Sequence, residues 1–525
     1  MKCRSISLSY RNKLSLGSLA TFALNHDVVI EILDRENFKR SIDENFGFFR
    51  QAVGSGKHIY GATTGFGSSS INRFNPESCA LLQNNLVEFH GCGVGDYLSE
   101  QQCAAVLFVR INSLSQGCSA VPFDLIEKLV ELSNNRIIPA IPSKGSVGAS
   151  GDLTPLSYLA AVLTGKRKAY HCGKIYDAKT LFEQKGISPY RLQGRDALAL
   201  MNGTSVMSAV SALLLRDIRK LADEACFAAS LLIELTQGMT SPFAPELHEC
   251  KPHPGQMYAA ERINSLLHEP AARLHRRSGF EANIFNNDQS IQDKYSLRCA
   301  PQIIGVLYDI LLWSEKVVET EINGVSDNPL FLHEKELVVN GGHFYGGHIG
   351  MVCDSLKIGV AALMNLIDRQ MALLLSPKVG SFLGENLVSR KELGEDFSLH
   401  HGFKAMQITL TSITAEILRD TTPMTIFSRP TESDNQDVVS MGTISAVGLS
   451  QMVENAKIGV AILLMAICQG FYLAEERGYR IFLKGNAIDR LGAVRAVFSK
   501  LAGDRCLDSE IISVKKAIFD AGEDV

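Results

Sequence analysis

The chain has little that would suit it to a membrane, a nucleic acid or a disulfide scaffold. Its 525 residues carry 52 basic and 56 acidic side chains, a formal charge of −4. So even a balance gives no general attraction to polyphosphate or anionic lipid, and no basic stripe interleaves with aromatics. There is no C-x-x-C pair. The 12 cysteines are scattered from Cys3 to Cys506, which predicts reduced, mostly buried thiols. The first residues include basic side chains but no continuous apolar segment and no cleavage site, so a cytoplasmic protein is expected. The most apolar run, Gly459 to Cys468, ends at Gln469 and is shorter than a membrane span requires. It reads as a helix buried in a bundle or at a subunit interface. No repeat of fixed period and no low-complexity linker appears. No G-x-x-x-x-G-K-[S/T] phosphate loop is present, and Gly65-Phe66-Gly67 lacks the third glycine of a dinucleotide loop. His248-Glu249 is followed by His253, which is not the H-E-x-x-H spacing of a zinc site, so no metal is expected.

What is present has two textures. A chain of this length exceeds one simple core. Residues 1–204 mix short apolar runs with glycine-rich turns at 61–67, 91–95 and 145–151, the pattern of functional loops on a scaffold. From 205 to 478 apolar residues recur at helical spacing. Long helices are expected from Ser208 to Gln237, Tyr295 to Glu321, Gly347 to Leu375, Lys404 to Arg419 and Ser445 to Arg477. Residues 479–525 read as a small helical cap. The fold class is therefore mainly α: a bundle of long helices behind a loop-rich, mixed N-terminal domain.

The segment Lys144-Gly-Ser-Val-Gly-Ala-Ser-Gly-Asp-Leu-Thr-Pro155 carries the most specific chemistry. In Ala149-Ser150-Gly151 the Gly151 nitrogen can attack the Ala149 carbonyl and close a five-membered ring. Loss of two waters then leaves Ser150 as a dehydroalanine-like methylidene group. Glycine supplies an unhindered nitrogen and conformational freedom, and Asp152 can assist the proton transfers. The product is an electrophile, which no ordinary side chain provides. Taken alone, such a triplet is more commonly a loop capping the helix that begins near Thr154-Pro155. A serine-hydrolase elbow is excluded, because Asp152 stands where its second glycine is needed.

Companions along the chain decide between these readings. Tyr60 stands in Ile59-Tyr-Gly-Ala-Thr-Thr-Gly-Phe-Gly67, Asn202 in Leu200-Met-Asn-Gly-Thr204, and Tyr295 and Arg298 in Gln292-Asp-Lys-Tyr-Ser-Leu-Arg298. Asn328 lies in Ser326-Asp-Asn-Pro329 and Phe344 in His343-Phe344-Tyr345. From about residue 58 to about 445 the sequence resembles the histidine/phenylalanine/tyrosine ammonia-lyase family, with its motifs in the family's order. The resemblance implies the prosthetic group 4-methylidene-imidazole-5-one, formed from Ala149, Ser150 and Gly151 with Asp152 beside it. It implies Tyr60 as the base for the β-proton, with its phenol pKa lowered by its surroundings. Arg298 would hold the substrate carboxylate, as a guanidinium can bidentately. Asn202 and Tyr295 would steady the carboxylate and amine, and Gln292, Asn328 and Phe344 would complete the pocket. A homotetramer with shared sites is implied too: Tyr60, Ser150 and Asn202 from one chain, Tyr295 and Arg298 from a second, Phe344 from a third. The rival from another class is an inactive helical scaffold that keeps the fold.

Substrate choice rests on fewer residues. In the resembled family the pair after Leu-Gln-x-x-Leu-Val-x helps select the ring; here it is Phe89-His90, a hybrid of apolar and polar. Ser205 stands where histidine lyases typically have glutamine. Asn435-Gln-Asp-Val-Val-Ser440 resembles aryl-specific lyases, whereas histidine lyases present a glutamate around Gln436-Asp437. An amide facing a neutral aryl ring is electrostatically reasonable, so an L-arylalanine (phenylalanine or tyrosine) is the expected substrate. Histidine, giving urocanate, and a 2,3-aminomutase reaction on the same prosthetic group are the alternatives. His343 and His400-His401 depart from the family's usual residues.

Overall fold

The computed structural model describes residues 4–75, 78–268, 292–479 and 481–520. Two compact units emerge, and they interleave along the chain. One comprises Met1–Leu214, Ser314–Asp354 and Pro423–Gly448; the other Leu215–Trp313, Ser355–Thr422 and Leu449–Val525. The three contiguous stretches expected from composition do not coincide with these units. Composition changes along the chain, whereas the units are grouped by proximity in space and each draws on three separate stretches.

The architecture is mainly α, as the helical spacing predicts. The long helices are Ser205–Thr236, Ala300–Ile322, Gly347–Leu374, Lys404–Arg419 and Gly442–Glu476. Tyr295 does not begin the second of them. Tyr295–Arg298 is a separate single turn closed at Cys299, and the long helix starts at Ala300 with Pro301 in its first turn. Proline has no N–H to give a preceding carbonyl, so it opens a helix more readily than it continues one.

All the strands among the described residues lie in the first unit. Arg4–Leu8 pairs parallel with Val28–Ile32 in the register Arg4↔Val28 to Leu8↔Ile32. Lys168–His171 pairs antiparallel with both Ile138–Pro139 and Lys174–Asp177. Val94–Tyr97 pairs with Pro142–Lys144, and Leu330–Leu332 with Leu337–Val339. Ile138–Pro139 packs on the buried helix Glu100–Leu114, which opens on a capping box between Ser99 and Gln102.

In the second unit the segment Val460–Cys468 has no exposed residue. Gln469, equally buried, donates to the carbonyls of Leu387 and Leu501 at 3.0 and 2.9 Å and accepts from the Leu501 N–H at 2.9 Å. Its amide is thus satisfied in an apolar setting. The helices Gly485–Arg495 and Asp508–Phe519 lie in the C-terminal stretch. Two helices, Gly347–Leu374 and Gly442–Glu476, are long and apolar enough to cross a membrane, but their apolar windows are 72% and 83% buried, as in core helices. The 459–468 run belongs to the 35-residue helix, so burial, and not shortness, distinguishes it from a span. The eleven described cysteines are all free, and Cys92, Cys172, Cys250 and Cys506 are exposed; burial is less general than expected.

Candidate active site

The strand Pro142–Lys144 delivers the chain into a loop that ends where the helix Leu153–Leu163 begins. Ser146 folds this loop onto itself. Its hydroxyl donates to the Gly151 carbonyl at 3.2 Å and accepts the Gly148 N–H at 3.0 Å. Gly151 forms a bridge with Gly203, and the Asp152 N–H donates to the Gly203 carbonyl at 2.7 Å. Gly151 has φ +64°, and an added Cβ would lie 2.2 Å from the Gly203 oxygen. Only glycine fits there.

Asp152 is fully buried behind the loop. The N–H groups of Val206 and Met207, in the first turn of the Ser205–Thr236 helix, donate to its Oδ2 at 2.9 and 3.0 Å. The Thr443 hydroxyl donates to Oδ1, with Ser146 at 3.5 Å. Burial outweighs these bonds and pushes the carboxyl up to about 6. A carboxyl poised this way exchanges protons near neutrality, as ring closure and dehydration require.

In front of the loop is a cavity of about 930 Å³. Ala149 and Ser150 line it, with Tyr60, Phe89, His90, Asn202, Asn328, Phe344 and Gln436. Gln436 Nε2 lies 3.4 Å from Ser150 Oγ. Phe344 therefore sits on the wall of its own chain's cavity. The resemblance implied a Phe344 from a third chain; here the turn after Leu337–Val339 brings this chain's own Phe344 to the cavity. Gln292, Tyr295 and Arg298 belong to the other unit and do not line this cavity. Tyr295 is 68% exposed, with the Arg298 guanidinium 4.5 Å from its ring centroid.

Tyr60 accepts the Gly67 N–H on its phenol oxygen at 2.8 Å. Its pKa is raised, not lowered as expected: burial disfavours the phenolate, the Gly67 bond offsets only part of this, and the Glu432 carboxylate adds to the rise. His90 is pushed down to about 4, by burial first and then by Arg167, so its ring is neutral near pH 7. Its Nδ1 lies 3.1 Å from the Thr154 hydroxyl, and its carbonyl accepts from Ser157 at 3.0 Å. His90 thus ties the end of the Cys79–Phe89 helix to the Leu153–Leu163 helix. Phe89 beside it is 60% exposed.

Asn202 is buried on a platform that sequence reasoning missed. Arg195 and Asp327, both without exposed side-chain surface, pair bidentately at 2.7 and 2.9 Å. Asn202 Nδ2 donates to Asp327 Oδ1 at 3.3 Å and to the Asn328 carbonyl at 3.2 Å. Its Oδ1 is buried and has no protein partner. Such an atom is costly unless something in the site donates to it. Arg110, fully buried as well, donates to the Ser326 carbonyl at 2.9 Å and also to that of Ala199. Arg195 and Arg110 lie in stretches with no distinguishing pattern. Asp327 and Asp437 stand within motifs named above, whereas Glu432 lies just ahead of Asn435–Ser440; Glu432 and Asp437 line the cavity.

His400 and His401 lie in the second unit, where Asp504 accepts the backbone N–H groups of His401 and Gly402 at 2.9 and 2.8 Å. They do not line the cavity. No cluster of metal-ligating side chains occurs among the described residues. The parts fit the implied prosthetic group: a glycine where a Cβ cannot stand, a buried carboxyl behind it and an unpaired amide oxygen beside it.

Comparison with known proteins gives the family. The family model for aromatic amino acid lyases matches residues 14–491. Histidine ammonia-lyase of Treponema denticola is 34% identical over 480 residues, covering 91% of this chain and 90% of that protein. The Alkaliphilus oremlandii histidine ammonia-lyase is also 34% identical, covering 93% and 92%. Among solved structures, the Pantoea agglomerans phenylalanine aminomutase superposes with TM-score 0.89 at 31% identity, covering 98% of this chain and 99% of that one. Histidine ammonia-lyase from Trypanosoma cruzi superposes with TM-score 0.85 at 29% identity, covering 98% and 93%.

The chain belongs to the aromatic amino acid lyase family. It is an enzyme, a carbon–nitrogen lyase of the ammonia-lyase type. These relatives do not support the arylalanine preference drawn from Gln436 and Ser205, since both sequence relatives named above are histidine ammonia-lyases.

Proposed function

We propose that the chain eliminates ammonia from L-histidine to give urocanate, at the cavity walled by Ala149 and Ser150. The observation that carries the elimination is the placement of Ser150 and Tyr60 on one cavity, with the buried Asp152 directly behind. When formed from Ala149, Ser150 and Gly151, the prosthetic group supplies the electrophile that makes the amine a better leaving group.

The other roles fall to side chains. Tyr60 takes the β-proton; its raised pKa means that the phenolate must be stabilised once substrate is bound. Asn202 Oδ1 accepts from the substrate amine. Tyr295 and Arg298 come from a neighbouring subunit of a homotetramer, with Arg298 holding the carboxylate. The imidazole reading rests on the relatives and on polarity: Glu432, Asp437 and a neutral His90 line the cavity. These groups suit a ring with an N–H to donate better than a bare phenyl.

A second reading, an L-arylalanine substrate, is favoured by Gln436, an amide beside Ser150. The test is incubation with L-histidine, L-tyrosine and L-phenylalanine, following ammonia and ultraviolet product together. Urocanate supports the proposal, and coumarate or cinnamate transfers it to the second reading. A β-amino acid without net ammonia marks an aminomutase. No product from any of the three overturns the proposal.

A further inference from the structure

We propose that Gln83, which does not line the cavity, is the positioning residue that sets Tyr60 against Asn202. Gln83 lies on the Cys79–Phe89 helix and is fully buried. A primary amide is costly to bury unless both of its ends are bonded. Here both are, and each partner leads to one side of the site. Nε2 donates to the Gly61 carbonyl at 2.8 Å, one residue after Tyr60. Oε1 accepts the Leu198 N–H at 3.0 Å. Leu198 lies in the first turn of the Asp196–Met201 helix, where N–H groups have no intrahelical acceptor. Its own carbonyl accepts the Asn202 N–H at 2.8 Å. A single amide thus joins the backbone at Tyr60 to the helix that presents Asn202.

Two further contacts make the joint rigid. Gly61 has φ +67°, and a Cβ there would come within 2.3 Å of Leu198 Cδ2, so the tyrosine turn rests directly on Leu198. Cys79, four residues before Gln83 and on the same helix face, donates through Sγ to the Ala62 carbonyl at 2.9 Å. The helix therefore grips successive carbonyls of the Tyr60 turn, while its C-terminal end presents Phe89 and leads into His90. An aliphatic side chain at 83 would fill the space but leave the Gly61 carbonyl and the Leu198 N–H unpaired. The inference rests on Tyr60 and Asn202 acting as proposed above.

Two variants test it, using whichever aromatic amino acid the parent protein turns over. For Gln83→Leu, kcat is expected to fall about 10- to 100-fold with KM within about threefold, the range for a displacement near 1 Å. Hydrogen exchange is expected to quicken in residues 59–67 and 196–202. In Gln83→Glu, burial raises the carboxyl pKa. Below that pKa its O–H donates to Gly61 while its carbonyl accepts from Leu198. Above it, the carboxylate faces the Gly61 carbonyl with no proton to give. The ratio of Gln83→Glu to parent activity should therefore rise as pH falls, a response that a side chain merely filling space does not produce.

Parent-like kcat and exchange in a folded Gln83→Leu protein would overturn the proposal. If that variant does not fold, a ratio for Gln83→Glu that is flat with pH overturns it. Exchange is read without substrate: a parent inactive on every amino acid tried defeats the proposed function, while the exchange result still decides the role of Gln83.

Discussion

Asp152, Tyr60 and His90 are three different acids moved by one cause. Burial disfavours each charged form, so the carboxyl and the phenol move up while the imidazole moves down to about 4. This has a consequence for acid stability. Between about 4 and the ordinary histidine value of 6.5, unfolded His90 binds a proton that native His90 refuses. Its contribution to stability is therefore present above 6.5 and is lost as pH falls toward 4. Asp152 acts in the opposite sense: with its folded pKa near 6, the native state loses stability as pH rises from the ordinary aspartate value to about 6. Replacing His90 alone separates the two. His90→Gln is expected to shift the acid-unfolding midpoint to lower pH in urea titrations, and an unchanged midpoint would mean that the ring is not desolvated. The residue types at the site were legible because the motifs are contiguous. The directions of their pKa shifts were not, since Tyr60 needs Gly67 and Glu432 in space to set its value.

At the scale of elements, the loop between Lys144 and Leu153 is held by backbone against backbone. Gly151→Ala would place a methyl group 2.2 Å from the Gly203 carbonyl oxygen. Overpacking of this kind costs about 1–3 kcal/mol, and the strain falls on the triplet itself. The variant is expected to melt at lower temperature and to lack the near-ultraviolet absorbance of the proposed prosthetic group; parent-like melting and absorbance would show that the loop can yield. Helix spans were largely readable. Lys404–Arg419 was located to the residue, and Gly442–Glu476 starts three residues before the expected Ser445. The break at Cys299 was missed although Pro301 signals it. The paired strands are only two to five residues long, too short for an alternation of apolar and polar residues to stand out. Their existence depends on partners distant in sequence.

At the scale of the molecule, one chain assembles Tyr60, Ser150, Asn202, Phe344 and Gln436 on a cavity of one unit and carries Tyr295 and Arg298 in the other. If sites are shared among subunits, two inactive variants should rescue each other. Ser150→Ala alone is expected to stay folded and lose turnover, because it removes the source of the methylidene carbon. Arg298→Lys alone should lose the bidentate hold on the carboxylate proposed for Arg298. Dissociating and reassociating the two together should restore part of the activity through hybrid sites, and no recovery in verified hybrids would contradict shared sites. By itself the sequence determined the reaction class, the triplet and its companions, and the helical architecture, because each is written in short contiguous motifs or in local periodicity. Only the tertiary structure decided that Phe344 reaches its own chain's cavity, that Arg195–Asp327 supports Asn202, and that Gln83 joins Asn202 to Tyr60. The hydrogen bonds behind the last two relations join residues from 22 to 132 positions apart, and only packing, which the linear order does not encode locally, brings them together.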